Sequence, residues 1–244
     1  MSSPDPAVLP TTGAILDNRY ELEHVLGHGG GGRVYRARHR STGHAVAVKI
    51  LDLDAGLGER ARQRRKERFR REMTICGRLS HPDIIGLIDF GEVGEFLYLV
   101  FELVSGRTLA QILQSEGSLK VARCRELMRS LLEVLVYSHH QGVIHRDLKP
   151  SNLMILDEIG QARLKVLDFG ISVMPGQNAY SHNRLTLSNE MVGTPAYAAP
   201  EQLRGDISTA KTDLYAWGLI LLECLTGKSV MAGTSLGEIF RLPW

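Results

Sequence analysis

Apolar and polar residues alternate from Tyr20 onward. In YELEHVLGHGGGGRVYRARH the alternation runs on both sides of a glycine cluster, which predicts a strand, a glycine turn and a second strand. HAVAVKIL supplies a third strand rich in β-branched residues. The period then lengthens. Within RARQRRKERFRREMTICGRL, Phe69, Glu72, Met73 and Cys76 fall at i, i+3, i+4 and i+7, which predicts a helix carrying a carboxylate on its apolar face. FLYLVFEL returns to a strand before a small-residue break at Ser105 and Gly106. Beyond that break, CRELMRSLLEVLVYSHHQG sets Leu127, Leu131, Val134 and Leu135 on one helical stripe and ends at Gly142, a C′ glycine. LYAWGLILLECL is apolar almost all round, with Glu223 its only charge, as expected of a helix buried at a domain centre.

The pattern therefore predicts an α+β chain with a strand-rich part over about 19–104 and a helix-rich part over about 105–244. Residues 1–18, rich in Pro, Ser and Thr and without periodicity, are expected to be a disordered leader. From Asp168 to Glu201 run 34 residues with little periodicity, long enough to signal a functional or mobile segment. There are no internal repeats.

Composition narrows the field. In 244 residues, 29 Lys+Arg stand against 27 Asp+Glu, a balance that gives no electrostatic argument for nucleic acid or a membrane surface. The arginine-rich run from Arg60 to Arg71 is better explained as a solvated helix face, because the apolar stripe occupies the opposite side. Cys76, Cys124 and Cys224 are odd in number and widely spaced, which fits reduced core thiols, a reducing compartment and a cytoplasmic location. No apolar run reaches the length of a membrane span, and MSSPDPAVLPTTG has neither the basic nor the apolar region of an export signal. The histidines lack metal-ligand spacing, so none is assigned to zinc.

Chemistry concentrates in four places. GHGGGGRV, from Gly27 to Val34, has the spacing G-x-G-x-x-G-x-V between two strands, a context that disfavours a dinucleotide fold; glycines there let backbone N–H groups approach phosphate oxygens, and a plain flexible hairpin is the alternative. Lys49 ends the strand AVAVK on the same face as Ala47, and a carboxylate packed among Phe69, Met73 and Cys76 is costly without a cation, so Lys49 and Glu72 are expected to pair. VIHRDLKPSNLMIL gathers Asp147, Lys149 and Asn152 in one loop, and KVLDFG places Asp168 at the end of a strand. Two carboxylates and an amide oxygen are hard ligands suited to Mg²⁺, while Lys149 offers a point charge for a transferring phosphoryl group. A polar loop capped by local hydrogen bonds accounts for one or two of these residues but not for all.

GHGGGGRV, VAVK at 46–49, HRDLKPSN at 145–152, DFG at 168–170 and APE at 199–201 stand in the order of the protein-kinase signature set, and the chain resembles a eukaryotic-like Ser/Thr protein kinase, with a bacterial flavour in FELVSGRTL and DLYAWG. DLKPSN and GTPAYAAPE resemble the Ser/Thr type. The resemblance implies a bilobal fold with a small antiparallel sheet and one key helix in the first lobe and a helical second lobe. It implies ATP and Mg²⁺ as cofactors and a protein hydroxyl as acceptor. Asp147 then orients that hydroxyl and takes its proton, Lys149 neutralises γ-phosphate charge, Asn152 and Asp168 hold Mg²⁺, and Lys49 binds the α- and β-phosphates when paired with Glu72. Gly27, Gly29 and Gly32 cover the nucleotide, with Leu26, Val34, Ala47 and Met154 around adenine and the backbones of Glu102 and Val104 on its edge beside the gatekeeper-like Phe101. His145 and Phe169 resemble packing residues. Thr194 resembles the residue that contacts the catalytic Asp and Lys. Arg146 resembles a docking arginine for a phosphorylated activation segment, in which Ser172, Tyr180, Ser181, Thr186 and Ser188 are candidates.

Two departures from the family are visible. Gly31 replaces a bulky apolar residue at the loop tip, which predicts weaker sequestration of the phosphates. The chain also stops after GTSLGEIFRLPW, where similar kinases continue with further helices, so an incomplete second lobe, an unpartnered Glu201 and an uncovered apolar helix from Leu214 to Leu225 are expected. The leading expectation is an Mg²⁺-ATP-dependent Ser/Thr protein kinase without nucleic-acid or membrane contacts. The rivals are a weak or inactive kinase-like module acting by ATP binding or self-association, and a small-molecule phosphotransferase, which the peptide-type motifs disfavour.

Overall fold

A computed structural model describes residues 9–29, 32–52, 58–158, 161–169 and 195–230. The chain divides into two compact units, one formed by 1–78 with 86–104 and the other by 79–85 with 105–244.

The first unit is a six-stranded antiparallel sheet in the order β1-β2-β3-β4-β6-β5, from β1 (Ile15–Leu16), β2 (Tyr20–Gly29), β3 (Gly32–His39), β4 (Ala45–Asp52), β5 (Leu87–Val93) and β6 (Phe96–Glu102), with one helix, α1 (Glu59–Cys76). The period-two pattern explains its two faces. One carries Leu16, Tyr20, Leu22, Tyr35, Ala37, Val46, Val48, Ile50, Tyr98 and Val100 as a single buried cluster. On the other, register sets Lys49 between Val34 and Leu99 and Ala47 opposite Phe101. α1 covers this second face: Phe69 is fully buried and meets Phe90 edge-on at 5.8 Å between ring centroids.

The disordered leader expected over 1–18 needs correction at 9–18, while residues 1–8 lie outside the described residues. Residues 9–18 form a strap on the first face, where Leu16 is buried, the Tyr35 hydroxyl donates to the Pro10 carbonyl at 2.8 Å, and the Gly13 N–H donates to the Leu22 carbonyl at 2.7 Å. Burial of Leu9, Ala14 and Leu16 against the aromatic cluster offsets the ordering entropy that composition alone weighed against structure. The arginine run is also more than a solvated face. Arg62 bridges Glu95, and Lys66 and Arg70 both bridge Glu92, so one face of α1 is clamped to the β5–β6 hairpin.

The second unit contains β7 (Arg107–Thr108), α2 (Leu109–Glu116), α3 (Val121–His140), a 3₁₀ turn (Pro150–Asn152), the hairpin β8 (Leu153–Glu158) and β9 (Gln161–Val166), a second 3₁₀ turn (Pro195–Tyr197), α4 (Pro200–Arg204) and α5 (Ala210–Thr226). The stripe predicted for α3 is buried as Leu127, Leu131, Val134 and Leu135, and the helix ends before Gly142 at φ +74°. The segment 79–85 belongs here: Asp83 accepts from Arg163 Nε at 2.8 Å, and the Ile85 N–H donates to the Val166 carbonyl at 2.9 Å. α5 is less buried than its composition suggests, since Leu214, Leu222 and Leu225 are exposed while Ala216, Ile220 and Cys224 are buried. Among the described residues no helix is long and apolar enough to cross a membrane.

Candidate active site

In the second unit the loop between α3 and β8 concentrates the predicted chemistry. Lys149 Nζ donates to both Asp147 carboxylate oxygens, at 3.1 and 2.8 Å. Asn152 Nδ2 donates to the Asp147 carbonyl at 2.7 Å and to its Oδ2 at 3.2 Å. The local turn explains this convergence: the Asn152 N–H closes on the Lys149 carbonyl at 2.9 Å, folding Lys149 and Asn152 back toward Asp147. With its amide nitrogen committed to Asp147, Asn152 keeps its side-chain oxygen as an acceptor.

Asp168 follows β9 with φ +59°, and the Leu167 N–H donates to the Asn152 carbonyl at 2.9 Å, so backbone bonding ties the approach to Asp168 to the loop end at Asn152. A carboxylate and an amide oxygen make a donor set that fits Mg²⁺, with Asp147 as a further hard oxygen ligand or proton acceptor. Asp168 and Arg146, at φ +66°, are both non-glycine residues in the left-handed region, a conformation costing about 1–3 kcal/mol that surrounding structure must hold.

What holds Arg146 is Asp213 at the start of α5. It is 1% exposed, and it accepts from the backbone N–H of His145 and of Arg146, both at 2.9 Å, and from His139 Nε2 at 2.8 Å. Gln202 Nε2 adds a bond to the Arg146 carbonyl at 2.7 Å. His145 is fully buried; its Nε2 donates to the Leu167 carbonyl at 2.9 Å, its Nδ1 accepts from the Asp147 N–H at 3.3 Å, and its ring meets Phe169 at 4.7 Å. Both ring nitrogens are occupied, as expected of a packing residue. Sequence reasoning passed over Asp213, although an acid opening an apolar helix in DLYAWG was its signal. Glu201, expected to lack a partner, has one: the Thr212 hydroxyl donates to its Oε1 at 2.6 Å.

Beside Lys149 lies a groove of about 420 Å³ lined by Ala110, Leu113, Gln114, Lys149, Pro150, Ser151, Tyr197, Glu223 and Gly227. The Tyr197 hydroxyl donates to Glu223, and burial followed by that carboxylate pushes its pKa well above the ordinary tyrosine value. Met154 lies half-buried on β8 opposite Lys165. Thr194 and the hydroxyls from Ser172 to Ser188 lie outside the described residues, as does Gly31.

In the first unit Gly27, Gly29 and Gly32 lie at the turn of the β2–β3 hairpin, with Gly29 opposite Gly32. A Cβ on Gly32 would sit 2.0 Å from the Ile50 carbonyl oxygen, so this glycine is required by the close approach of β3 to β4; one on Gly27 would meet nothing within 4 Å. Leu26 is exposed, whereas Val34, Ala47, Glu102 and Val104 are half-buried and Lys49 is 3% exposed. Glu102 is anchored through its side chain, which accepts from the Gly86 N–H at 2.7 Å, while its own N–H donates to the Gly86 carbonyl at 3.0 Å.

Glu72 corrects the expected pairing. Its Oε1 accepts from Arg68 Nε at 2.8 Å, one helical turn back, and its buried Oε2 has no hydrogen-bond partner. Lys49 is not the partner of Glu72 here. A cation on the same helix meets the carboxylate at i,i+4 without any demand on the sheet.

The Asp-Lys-Asn loop followed by a strained Asp carries the donor set of a phosphotransferase, and the chain belongs to the protein kinase family: the protein kinase domain matches residues 20–241. Proteins of this family use ATP and Mg²⁺ and act on protein substrates. Its relatives include a probable serine/threonine-protein kinase PknB of Corynebacterium glutamicum, 37% identical over 91% of this chain. Serine/threonine-protein kinase PrkC of Bacillus subtilis is 36% identical over 93%, and PknB of Mycobacterium tuberculosis 38% over 92%. The chain spans about a third of the length of these relatives, 33% to 35%.

Proposed function

We propose that the chain transfers the γ-phosphoryl group of Mg²⁺-ATP to Ser and Thr hydroxyls of proteins, including its own segment between Asp168 and Glu201. The observation that carries this reading is the Asp147 carboxylate held by Lys149 and Asn152 on a backbone fastened by Asp213. Asp147 orients the acceptor hydroxyl and takes its proton. Lys149 neutralises charge on the transferring group, and Asn152 and Asp168 hold the metal through oxygen. Lys49 binds the α- and β-phosphates. The backbone N–H groups of Gly27, Gly29 and Gly32 lie against the phosphates. Val34, Ala47 and Met154, with Leu26 and the backbones of Glu102 and Val104, receive the base. Bound Mg²⁺-ATP supplies the phosphoryl group and its charge neutralisation. The groove beside Lys149 receives the acceptor peptide.

A second reading, a nucleotide- or partner-binding module with weak turnover, is favoured by the Arg68–Glu72 pair, which leaves the expected Lys49–Glu72 pair unmade. The exposed Leu214, Leu222 and Leu225 support self-association in that case. The buried thiols of Cys124 and Cys224, which form no disulfide, support a cytoplasmic location.

The deciding experiment is the intact mass of the full chain after incubation with Mg²⁺-ATP, beside Asp147→Asn, with circular dichroism as a fold check and a generic Ser/Thr peptide as second acceptor. Added phosphate on the wild type or the peptide, absent in Asp147→Asn, is the expected result. A folded wild type that phosphorylates neither itself nor the peptide, and that sediments as a concentration-dependent oligomer, would establish the second reading instead.

A further inference from the structure

Gln202, in the first turn of α4, has both ends of its side-chain amide engaged. Its Oε1 accepts from the Ala199 N–H at 3.1 Å, and its Nε2 donates to the Arg146 carbonyl at 2.7 Å. These two demands settle the orientation of the amide, since an N–H requires its oxygen and a carbonyl requires its nitrogen. They also settle the residue type: a carboxylate serves Ala199 but not Arg146, and an apolar side chain serves neither. Ala199 is fully buried and follows the turn Pro195–Tyr197, whose Tyr197 lines the groove beside Lys149.

The Arg146 carbonyl belongs to the peptide plane that leads into Asp147, and the N–H at the other end of that plane donates to His145 Nδ1 at 3.3 Å. Gln202 and His145 thus hold this plane from both ends, whereas Asp213 holds the N–H groups of His145 and Arg146 before it. The turn and the loop face each other across a cavity of only about 10 Å³, bordered by Arg146, Asp147, Tyr197, Ala198 and Gln202, so neither has room to shift without the other.

We propose that Gln202 is a positioning residue for Asp147: its amide ties the turn on the acceptor side to the Arg146 carbonyl and so fixes the peptide plane that aims the Asp147 carboxylate. The inference rests on Asp147 as the group that orients the acceptor hydroxyl. Asp213 fastens the loop to α5, and Gln202 fastens it to the side on which the peptide lies. A cap and a positioning group make opposite predictions. At the third helical position Glu reaches back to the N-cap N–H as well as Gln does, so a residue that only caps α4 tolerates Gln202→Glu, while one that holds the Arg146 carbonyl does not.

The test compares the wild type, Gln202→Glu, Gln202→Met, Asp147→Asn and Arg204→Gln, the last an exposed control on α4. Each is the full chain, assayed with saturating Mg²⁺-ATP at a pH above the carboxylate range. The readouts are kcat and KM for a Ser/Thr peptide, affinity for a fluorescent ATP analogue, and the melting temperature. Gln202→Glu is expected to keep its melting temperature and nucleotide affinity and to lose about ten-fold in kcat, the effect of one carbonyl deprived of its donor. Gln202→Met is expected to lose as much in kcat and to melt lower as well. Wild-type kcat in either folded variant, a loss confined to KM, or an equal loss in Arg204→Gln overturns the proposal. If the wild type transfers no phosphate, or Asp147→Asn matches it, the reading of Asp147 fails and the inference falls with it; if Asp147→Asn is inactive while Gln202→Glu transfers normally, the positioning role alone is refuted.

Discussion

Replacing Asp213 by Asn keeps the shape of a side chain that is 1% exposed and removes its charge. The carboxylate accepts three bonds, Oδ2 from His139 Nε2 and the His145 N–H and Oδ1 from the Arg146 N–H. An amide offers one acceptor oxygen, so its NH₂ must face at least one of these donors. One buried N–H left unsatisfied costs about 1–3 kcal/mol, and the surviving bonds fall from charge-assisted to neutral strength, about 1 kcal/mol less each. The total loss is then about 3–4 kcal/mol. Urea unfolding followed by Trp217 fluorescence should register it, because the Trp217 indole N–H lies on the same helix and donates to the Met128 carbonyl at 3.0 Å. With a slope of about 2 kcal/mol/M, the midpoint drops by about 1.5–2 M. Phosphoryl transfer should fall more than the folded fraction explains, because Arg146 at φ +66° loses the bond that holds it beside Asp147. A midpoint within about 0.3 M of the wild type, with activity retained, would refute the view that Asp213 fastens this backbone.

Three further outcomes follow from the same geometry. Burial alone would raise the Glu92 carboxyl, but Lys66 and Arg70 outweigh it and hold its pKa below the ordinary value; the stabilisation is therefore present above the unfolded pKa and lost as pH falls through the folded one. Glu92→Gln should lower the melting temperature at neutral pH, and the gap should close on acidification below the usual carboxylate range; a gap constant with pH contradicts the clamp. Gly32→Ala, whose Cβ would meet the Ile50 carbonyl at 2.0 Å, should cost about 2 kcal/mol by denaturant melting, while Gly27→Ala, in open space, should change stability by less than about 1 kcal/mol. Burial pushes the Cys124 thiol up and that of Cys224 to about 12, so alkylation at pH 8 should modify half-buried Cys76 first, as read by peptide mass; early labelling of Cys224 would mean that α5 is not packed as described.

The sequence by itself determined whatever depends on near neighbours. Period two marked β2, β3, β4 and β6, the helical stripe marked α1 and α3, and the Asp147-Lys149-Asn152 cluster was legible because six consecutive residues close on one 3₁₀ turn. β5 escaped notice because LIDFGEV interrupts its alternation with a glycine and a bulge between Leu87 and Asp89. Partner choice among distant groups was decided only by the tertiary structure. Composition marked residues 9–18 as disordered until an aromatic cluster gave them a surface to cover. Asp213 became central because folding brings it onto two N–H groups some 67 and 68 residues away. Glu201 found Thr212, and Glu72 found Arg68 instead of Lys49. The physical reason is that periodicity is a property of the local chain, whereas which surface a segment covers, and which of several near and distant donors satisfies a carboxylate, is settled by a competition that only the folded molecule decides.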